Sequence, residues 1–231
     1  GDLDGDGRLD LAVVNYSSGT VSLFRNTSTG GAISFAAKVD FSTDLNPRAV
    51  LFGDVYVDGL PDVIVANEGA SRVSVLRNLA TGGITTNSFA AKVDFIVGTS
   101  PSALAFGDID GDGKPDLVIA NGFNGPGGNS ISILRNTSTR GTVNSSTFAT
   151  RVSFTTPAAP LSVALADLDL DGLPDIVTAN SGNSSVSAFR NTNAAPGTIT
   201  LATRVDFSSG STTRTVAIGD IDGDGKPDLV V

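Results

Sequence analysis

The chain has 231 residues, with 24 acidic against 15 basic side chains and a formal net charge of -9. It contains no Cys, His, Trp or Met, which excludes a disulfide framework, thiolate chemistry, zinc sites and a Ser-His-Asp triad. Lys and Arg are scattered singly, so no basic stripe is offered to nucleic acid, and no apolar run approaches the ~18 residues of a membrane helix.

The chain opens on an acidic phrase, GDLDGDGRLD at 1–10, that returns along its length. Later copies are GDVYVDGLPD at 53–62, GDIDGDGKPD at 107–116, ADLDLDGLPD at 166–175 and GDIDGDGKPD at 219–228. Numbered from the first aspartate, carboxylates stand at loop positions 1, 3, 5 and 9. These are Asp2, Asp4, Asp6 and Asp10; then Asp108, Asp110, Asp112 and Asp116. Asp167, Asp169, Asp171 and Asp175, then Asp220, Asp222, Asp224 and Asp228, complete the full copies. The second copy keeps only Asp54, Asp58 and Asp62, because Tyr56 stands at position 3.

Carboxylates crowded into one turn repel, at about 4 kcal/mol per close pair for an effective dielectric near 20. A hard divalent cation relieves that repulsion. Calcium fits best, since it takes six to eight oxygens in a flexible geometry from carboxylates, backbone carbonyls and water. Position 7 would offer a carbonyl, which leaves its side chain free to vary: Arg8, Leu60, Lys114, Leu173 and Lys226. Position 6 is always Gly, as a turn that reverses around an ion with positive φ requires. Four calcium sites are expected from the full copies, and a weak or empty one at 54–62.

Two other readings of the phrase fall short. Asp-Gly turns are common hairpin connectors, but that accounts for one Asp and one Gly, not four Asp in register. An EF-hand needs a bidentate Glu at loop position 12 and flanking helices. Position 12 is Val13 in the first loop and Ile119 in the third, and the flanks read as strands. Of the 24 acidic residues, 19 lie in the five loops, so four divalent ions would bring the net charge to -1.

Between the loops the chain repeats four strand-like segments. The first leads into the loop, as in RAVLFGD at 48–54, and the second leaves it, as in PDVIVAN at 61–67. Both are near-continuous apolar runs and read as buried on both faces. The third is VSLFRN, VSVLRN, ISILRN or VSAFRN, and the fourth is SFAAKVDF or a looser relative. These two alternate more and read as outer strands. An Asn closes the second segment (Asn15, Asn67, Asn121, Asn180), and an Arg-Asn pair closes the third (Arg25-Asn26, Arg77-Asn78, Arg135-Asn136, Arg190-Asn191). No stretch has a helical period.

Repeats beginning near 1, 53, 107, 166 and 219 give a period of about 50 residues with four strands each. That predicts an all-β fold, a β-propeller of four-stranded antiparallel blades. A sandwich of equal strand count would not repeat its sequence. The whole of 1–231 reads as one propeller segment of about four and a half blades.

The acidic loop, the Pro-Asp-[Leu/Val/Ile]-Val run after it and the closing Asn resemble the FG-GAP/VCBS repeat proteins of bacterial surfaces and secretions, relatives of the integrin α-subunit propeller. A Gly-Ala-Pro element of the integrin pattern is missing. The resemblance implies a seven-bladed ring, of which this chain would be an arc cut from a longer protein. It implies structural calcium between the first and second strands of a blade, and partners on the opposite loop face. That face would be built by 16–20, 68–72, 122–130 and 181–185, with the blade-joining segments 42–48, 96–102, 155–162 and 208–214. Phe123, in the longest of these loops, is a candidate contact.

The expected function is a calcium-stabilised, non-catalytic binding or adhesion module of a secreted or cell-surface protein, with an extracellular protein or glycan as partner. The alternative is a carbohydrate-binding propeller, or one attached to a glycan-degrading enzyme. Sugar platforms favour aromatic faces, and the chain has no Trp and only Tyr16 and Tyr56 as tyrosines. No nucleophile–base pair supports an enzyme.

Overall fold

The computed structural model describes residues 1–122, 128–139 and 144–231. The expected contact at Phe123 lies outside them. Among the described residues the regular structure is β, apart from one 3-10 turn at Glu68–Ala70. The chain divides into two compact units, Gly1–Ile96 with Ser138–Thr147, and Val97–Thr137 with Phe148–Val231.

The first unit holds two sheets. One is three-stranded, β1 (Leu11–Asn15), β2 (Thr20–Phe24) and β3 (Val39–Ser42). The other is four-stranded, β4 (Pro47–Gly53), β5 (Asp62–Asn67), β6 (Arg72–Leu76) and β7 (Val93–Ile96). Leu3, Val21, Leu23, Val63, Val65, Leu76 and Phe89 are buried together as its core. Phe41 meets Phe89 edge to face, with ring centroids 5.0 Å apart.

In the second unit β8 (Pro101–Gly107), β9 (Asp116–Asn121), β10 (Ser130–Leu134) and β11 (Val152–Thr155) form one sheet. The next is β12 (Pro160–Ala166), β13 (Asp175–Asn180), β14 (Ser185–Phe189) and β15 (Val205–Ser208). A two-stranded sheet follows, β16 (Ala217–Gly219) with β17 (Asp228–Val230). One core gathers Ile109, Val118, Ile131, Ile133, Val163, Ile176 and Phe189, and a smaller one holds Val177, Ala179, Val186 and Val216.

Every neighbouring strand pair within these sheets is antiparallel and consecutive in sequence, as in β12 with β13, β13 with β14, and β14 with β15. Each sheet is therefore an up-and-down blade. The connection from first to second strand leaves at one end of the blade and the connection from second to third at the other. The first strand of each full blade carries a bulge near its start, between Pro47 and Ala49, Pro101 and Ala103, and Pro160 and Ser162.

Burial departs from the sequence expectation at two strands. The second strands β5, β9 and β13 are buried throughout, as expected. The first strands β4, β8 and β12 are only half-buried over most of their length. The third strands β6, β10 and β14 are buried at four of five positions, so they are not outer strands. Only the fourth strand is outer, and β15 is exposed along its length.

The third strand misleads because its polar residue is buried inside a hydrogen-bonded ladder. In β14, Ser187 accepts from Asn180 Nδ2 at 2.8 Å and donates to Asp206 Oδ1 at 2.6 Å, and Arg204 Nε donates to the same oxygen at 3.1 Å. Asn67, Ser74 and Asp94 repeat the ladder with links of 2.9 and 2.6 Å, and Asn15, Ser22 and Asp40 with 2.8 and 2.5 Å. A buried hydroxyl with both partners in place carries little desolvation cost. Asn15, Asn67 and Asn180, at the ends of their second strands, are thus the inner members of ladders that tie three strands together.

Candidate metal centre

The acidic loops are the turns between first and second strands. Their backbone follows the expected glycine pattern: φ is 84° at Gly7, 92° at Gly59 and 90° at Gly172. Position 4 also needs positive φ. Gly5, Gly111 and Gly223 meet it, whereas Val57 and Leu170 are held at 52° and 61°.

The four aspartates of a full loop have different duties. Position 1 accepts backbone N–H groups from the turn it opens. Asp108 Oδ1 receives Gly111 and Asp112 at 2.8 and 3.2 Å, and its Oδ2 receives Gly113 at 2.8 Å. Asp2 and Asp220 repeat the pattern. Position 5 accepts the N–H of position 7, as Asp112 does from Lys114 at 2.9 Å.

Position 9 spans the loop. Asp116 Oδ2 accepts from Ile109 N–H at 2.9 Å, and its Oδ1 accepts from Asn136 N–H, beyond the third strand, at 2.7 Å. Asp10, Asp62 and Asp175 make the equivalent pair of bonds. Burial pushes the Asp116 carboxyl up to about 6 and the Asp62 carboxyl up to about 7, against the downward pull of those N–H donors.

Carboxylate oxygens converge in four of the five loops. Asp2, Asp4 and Asp6 bring one oxygen each within 4.8 Å of one another. So do Asp108, Asp110 and Asp116; Asp167, Asp169 and Asp175; and Asp220, Asp222 and Asp228. Asp112, Asp171 and Asp224 stand outside these trios, as does Asp10. Among the described residues the second loop forms no such group. There Tyr56 is buried, its ring lies under the Arg77 guanidinium at 5.4 Å, and Arg77 Nη2 donates to Asp58 Oδ2 at 3.0 Å.

Two position-3 oxygens suit a cation. Asp4 Oδ1 and Asp110 Oδ2 are buried without a hydrogen-bond partner. A buried, unsatisfied anionic oxygen is costly unless positive charge is supplied to it. The donors are all oxygens, which suits a hard divalent ion and not zinc.

The Arg-Asn pair, which the sequence offered only as a landmark, is part of the site. Asn78 Nδ2 donates to Pro61 O at 2.9 Å and to Leu3 O in the preceding loop at 2.8 Å. Asn191 Nδ2 does the same to Pro174 O at 3.1 Å and Ile109 O at 2.8 Å. The Asn therefore clamps one acidic loop to the next. The Arg reaches into its own loop. Arg25 Nε donates to Asp4 Oδ2 and its Nη2 to Asp6 Oδ2 at 2.8 Å. Arg190 Nε donates to Asp169 Oδ2 and its Nη2 to Asp171 Oδ2 at 3.2 Å. The fixed spacing of the pair, at the end of the strand facing the loop, was the signal available in the sequence.

At the far end of the blades the two expected loop sets meet. Glu68 N–H donates to Asn46 O at 2.9 Å, Thr43 N–H to Gly19 O at 2.9 Å and Ser181 N–H to Ala159 O at 2.9 Å. Tyr16, Gly19, Thr43 and Leu45 line a shallow cleft there in the first unit.

Up-and-down four-stranded blades, each opening on an acidic loop, define a repeat protein of the β-propeller class. The FG-GAP-like repeat matches four overlapping stretches, 2–56, 54–119, 108–178 and 167–231. The chain belongs to the FG-GAP-like repeat family. No curated protein matches it. Among solved structures it is similar to BBS1N, crystallised in complex with ARL6DN. In the mercury-soaked crystal the TM-score is 0.52 at 16% identity, covering 91% of this chain and 52% of that one. In the lead-soaked crystal it is 0.53 at 14%, covering 91% and 55%. This chain therefore spans about half the length of the structures it matches, and the likeness is one of fold.

Proposed function

We propose that the chain is a calcium-stabilised, non-catalytic binding module of a secreted or cell-surface protein, with calcium in the acidic loops as a structural brace. The observation that carries this reading is the convergence of three carboxylate oxygens within 4.8 Å in four loops, with buried oxygens at Asp4 and Asp110 that accept no hydrogen bond. Bound calcium would supply positive charge to those oxygens. Asp2, Asp4, Asp6, Asp108, Asp110, Asp116 and their equivalents would hold it, and the carbonyls of Arg8, Lys114, Leu173 and Lys226 would complete the set. Sites of this composition suit extracellular calcium, where affinities near 10⁻⁴–10⁻³ M suffice.

The partner is a protein that docks on the loop face opposite the acidic loops. BBS1N, which shares the fold, has ARL6DN as its protein partner. The exposed Tyr16 and Leu45 give this chain an apolar element on that face. The test of the metal reading is thermal unfolding of the full chain in chelator and in calcium. Calcium should raise Tm and chelator should lower it. Asp110→Ala or Asp112→Ala should weaken that response more than Asp58→Ala. A Tm indifferent to calcium, with no heat on titration, would overturn the reading.

A further inference from the structure

The position-3 aspartates differ in what already holds them. In the first loop, Asp4 Oδ2 is taken by Arg25 Nε, and Asp6 Oδ2 is shared between Arg25 Nη2 at 2.8 Å and Arg8 Nη2 at 2.5 Å. In the fourth loop Arg190 straddles Asp169 and Asp171 in the same way. In the third loop the equivalent Arg135 stands back. Its Nη1 is 3.8 Å from Asp110 Oδ2, beyond hydrogen-bond reach, and that oxygen is fully buried with no hydrogen-bond partner.

A guanidinium and a divalent ion compete for one carboxylate oxygen, because each needs its lone pairs and each is repelled by the other's charge. We propose that Arg25 and Arg190 are built-in competitors of the cation, so that the first and fourth loops bind it more weakly than the third. This rests on the acidic loops being cation sites. The arrangement has a physical purpose. Metal-free, the crowded carboxylates would repel and the loop would open; an arginine from the third strand of the same blade holds it closed. On metal binding the guanidinium swings out, and the ion takes over its oxygens. In the third loop the arginine pairs only at 3.8 Å, without a hydrogen bond, and the loop relies on the ion.

The competitor role makes opposite demands on two measurements. An arginine that merely positions the aspartates would, when removed, weaken both the metal-free fold and the metal site. A competitor, when removed, weakens the metal-free fold but tightens the site. The experiment is calorimetric titration of the full chain with calcium chloride, for wild type, the double variant Arg25→Gln with Arg190→Gln, and Arg135→Gln. Wild type should show a tight class and a weaker class of sites. The double variant should tighten the weaker class about tenfold, the equivalent of removing roughly 1.4 kcal/mol of competition, while lowering Tm in chelator. Arg135→Gln should change affinity less.

The arginine Nε–H NMR signals of wild type give a second readout that needs no variant to fold. Those of Arg25 and Arg190 should move on calcium saturation, and that of Arg135 should move least. Calcium binding by wild type with equal or weaker binding by the double variant, or unmoved Arg25 and Arg190 signals at saturation, would overturn the competitor role and leave the cation sites standing. Absence of calcium binding by wild type and all variants would overturn both. Binding by the double variant alone would support the competition in its strongest form.

Discussion

Asn191 donates its backbone N–H to Asp175 Oδ1 at 2.7 Å, while the second oxygen of that carboxylate accepts from Leu168 N–H at 3.0 Å. One side chain thus fastens the acidic loop to the end of the third strand. The same residue was expected as a metal ligand, and it stands in a metal-fitting trio as well. Position 9 therefore carries a structural duty that does not depend on an ion. Asp175→Asn retains one acceptor oxygen and turns an NH₂ group against the other donor. The expected cost is about 1–3 kcal/mol, visible in urea unfolding carried out in chelator. An equal stability of variant and wild type without metal would leave position 9 with no role beyond ligation.

The buried position-9 carboxyls also set a pH dependence. Burial raises Asp62 to about 7 and Asp116 to about 6, above the ordinary value of 3.8. The folded state then holds extra protons between pH 3.8 and those values. The stability this confers is fully present below the unfolded pKa and is lost as pH rises through about 6 for Asp116 and about 7 for Asp62. In chelator, the stability of wild type relative to Asp62→Asn should fall steadily from pH 4 to pH 7. A difference that stays flat, or grows, across that range would contradict the raised carboxyl.

Most of the fold was legible because the chain repeats itself. The period fixed the blades, and the apolar runs of β5, β9 and β13 proved buried on both faces. The position-6 glycines carry the positive φ their loops require. Ser74, Ser132 and Ser187 were misread because alternation in a single strand cannot distinguish a hydroxyl facing water from one facing a buried Asn. The duties of Arg25 and Asn78 were illegible for a related reason. Their partners lie across the blade or in the preceding loop, with Asn78 to Leu3 separated by 75 residues, and local pattern carries no such pairing.

Backbone strain at position 4 offers a stabilising change. Val57 and Leu170 occupy left-handed φ values where the other loops have Gly, and both are substantially exposed, at 45% and 59%. A non-Gly residue there costs about 1–2 kcal/mol, and a β-branched Val is the worse case. Little apolar burial is lost on truncation. Val57→Gly and Leu170→Gly should each raise stability by roughly 0.5–1 kcal/mol after the entropy of the added glycine in the unfolded chain is set against the relief of strain. Chemical denaturation of the two single variants checks this. A loss of stability in both would mean that the side chains, and not the backbone, hold those turns.

The Asn-Ser-Asp ladder makes a prediction confined to one edge of one blade. Ser187 Oγ bridges Asn180 in the second strand to Asp206 in the fourth, at 2.8 and 2.6 Å. β15 otherwise presents exposed residues and packs little apolar surface. In the third blade Ser153 stands where the other fourth strands have Asp, opposite Ser132 in register. Ser187→Ala leaves Asn180 short of an acceptor and Asp206 short of a donor, at about 1–3 kcal/mol. Because Ser187 and Asp206 share one bond, Ser187→Ala and Asp206→Ala should be non-additive, with a coupling of about 0.5–3 kcal/mol. Hydrogen exchange should show the loss of protection concentrated in β14 and β15. Equivalent truncation at Ser132 should leave β11 exchange nearly unchanged, since that strand has Ser153, and no carboxylate, opposite the hydroxyl. Additive effects at Ser187 and Asp206, or loosening spread evenly over the blade, would show that the ladder fills space without holding the fourth strand.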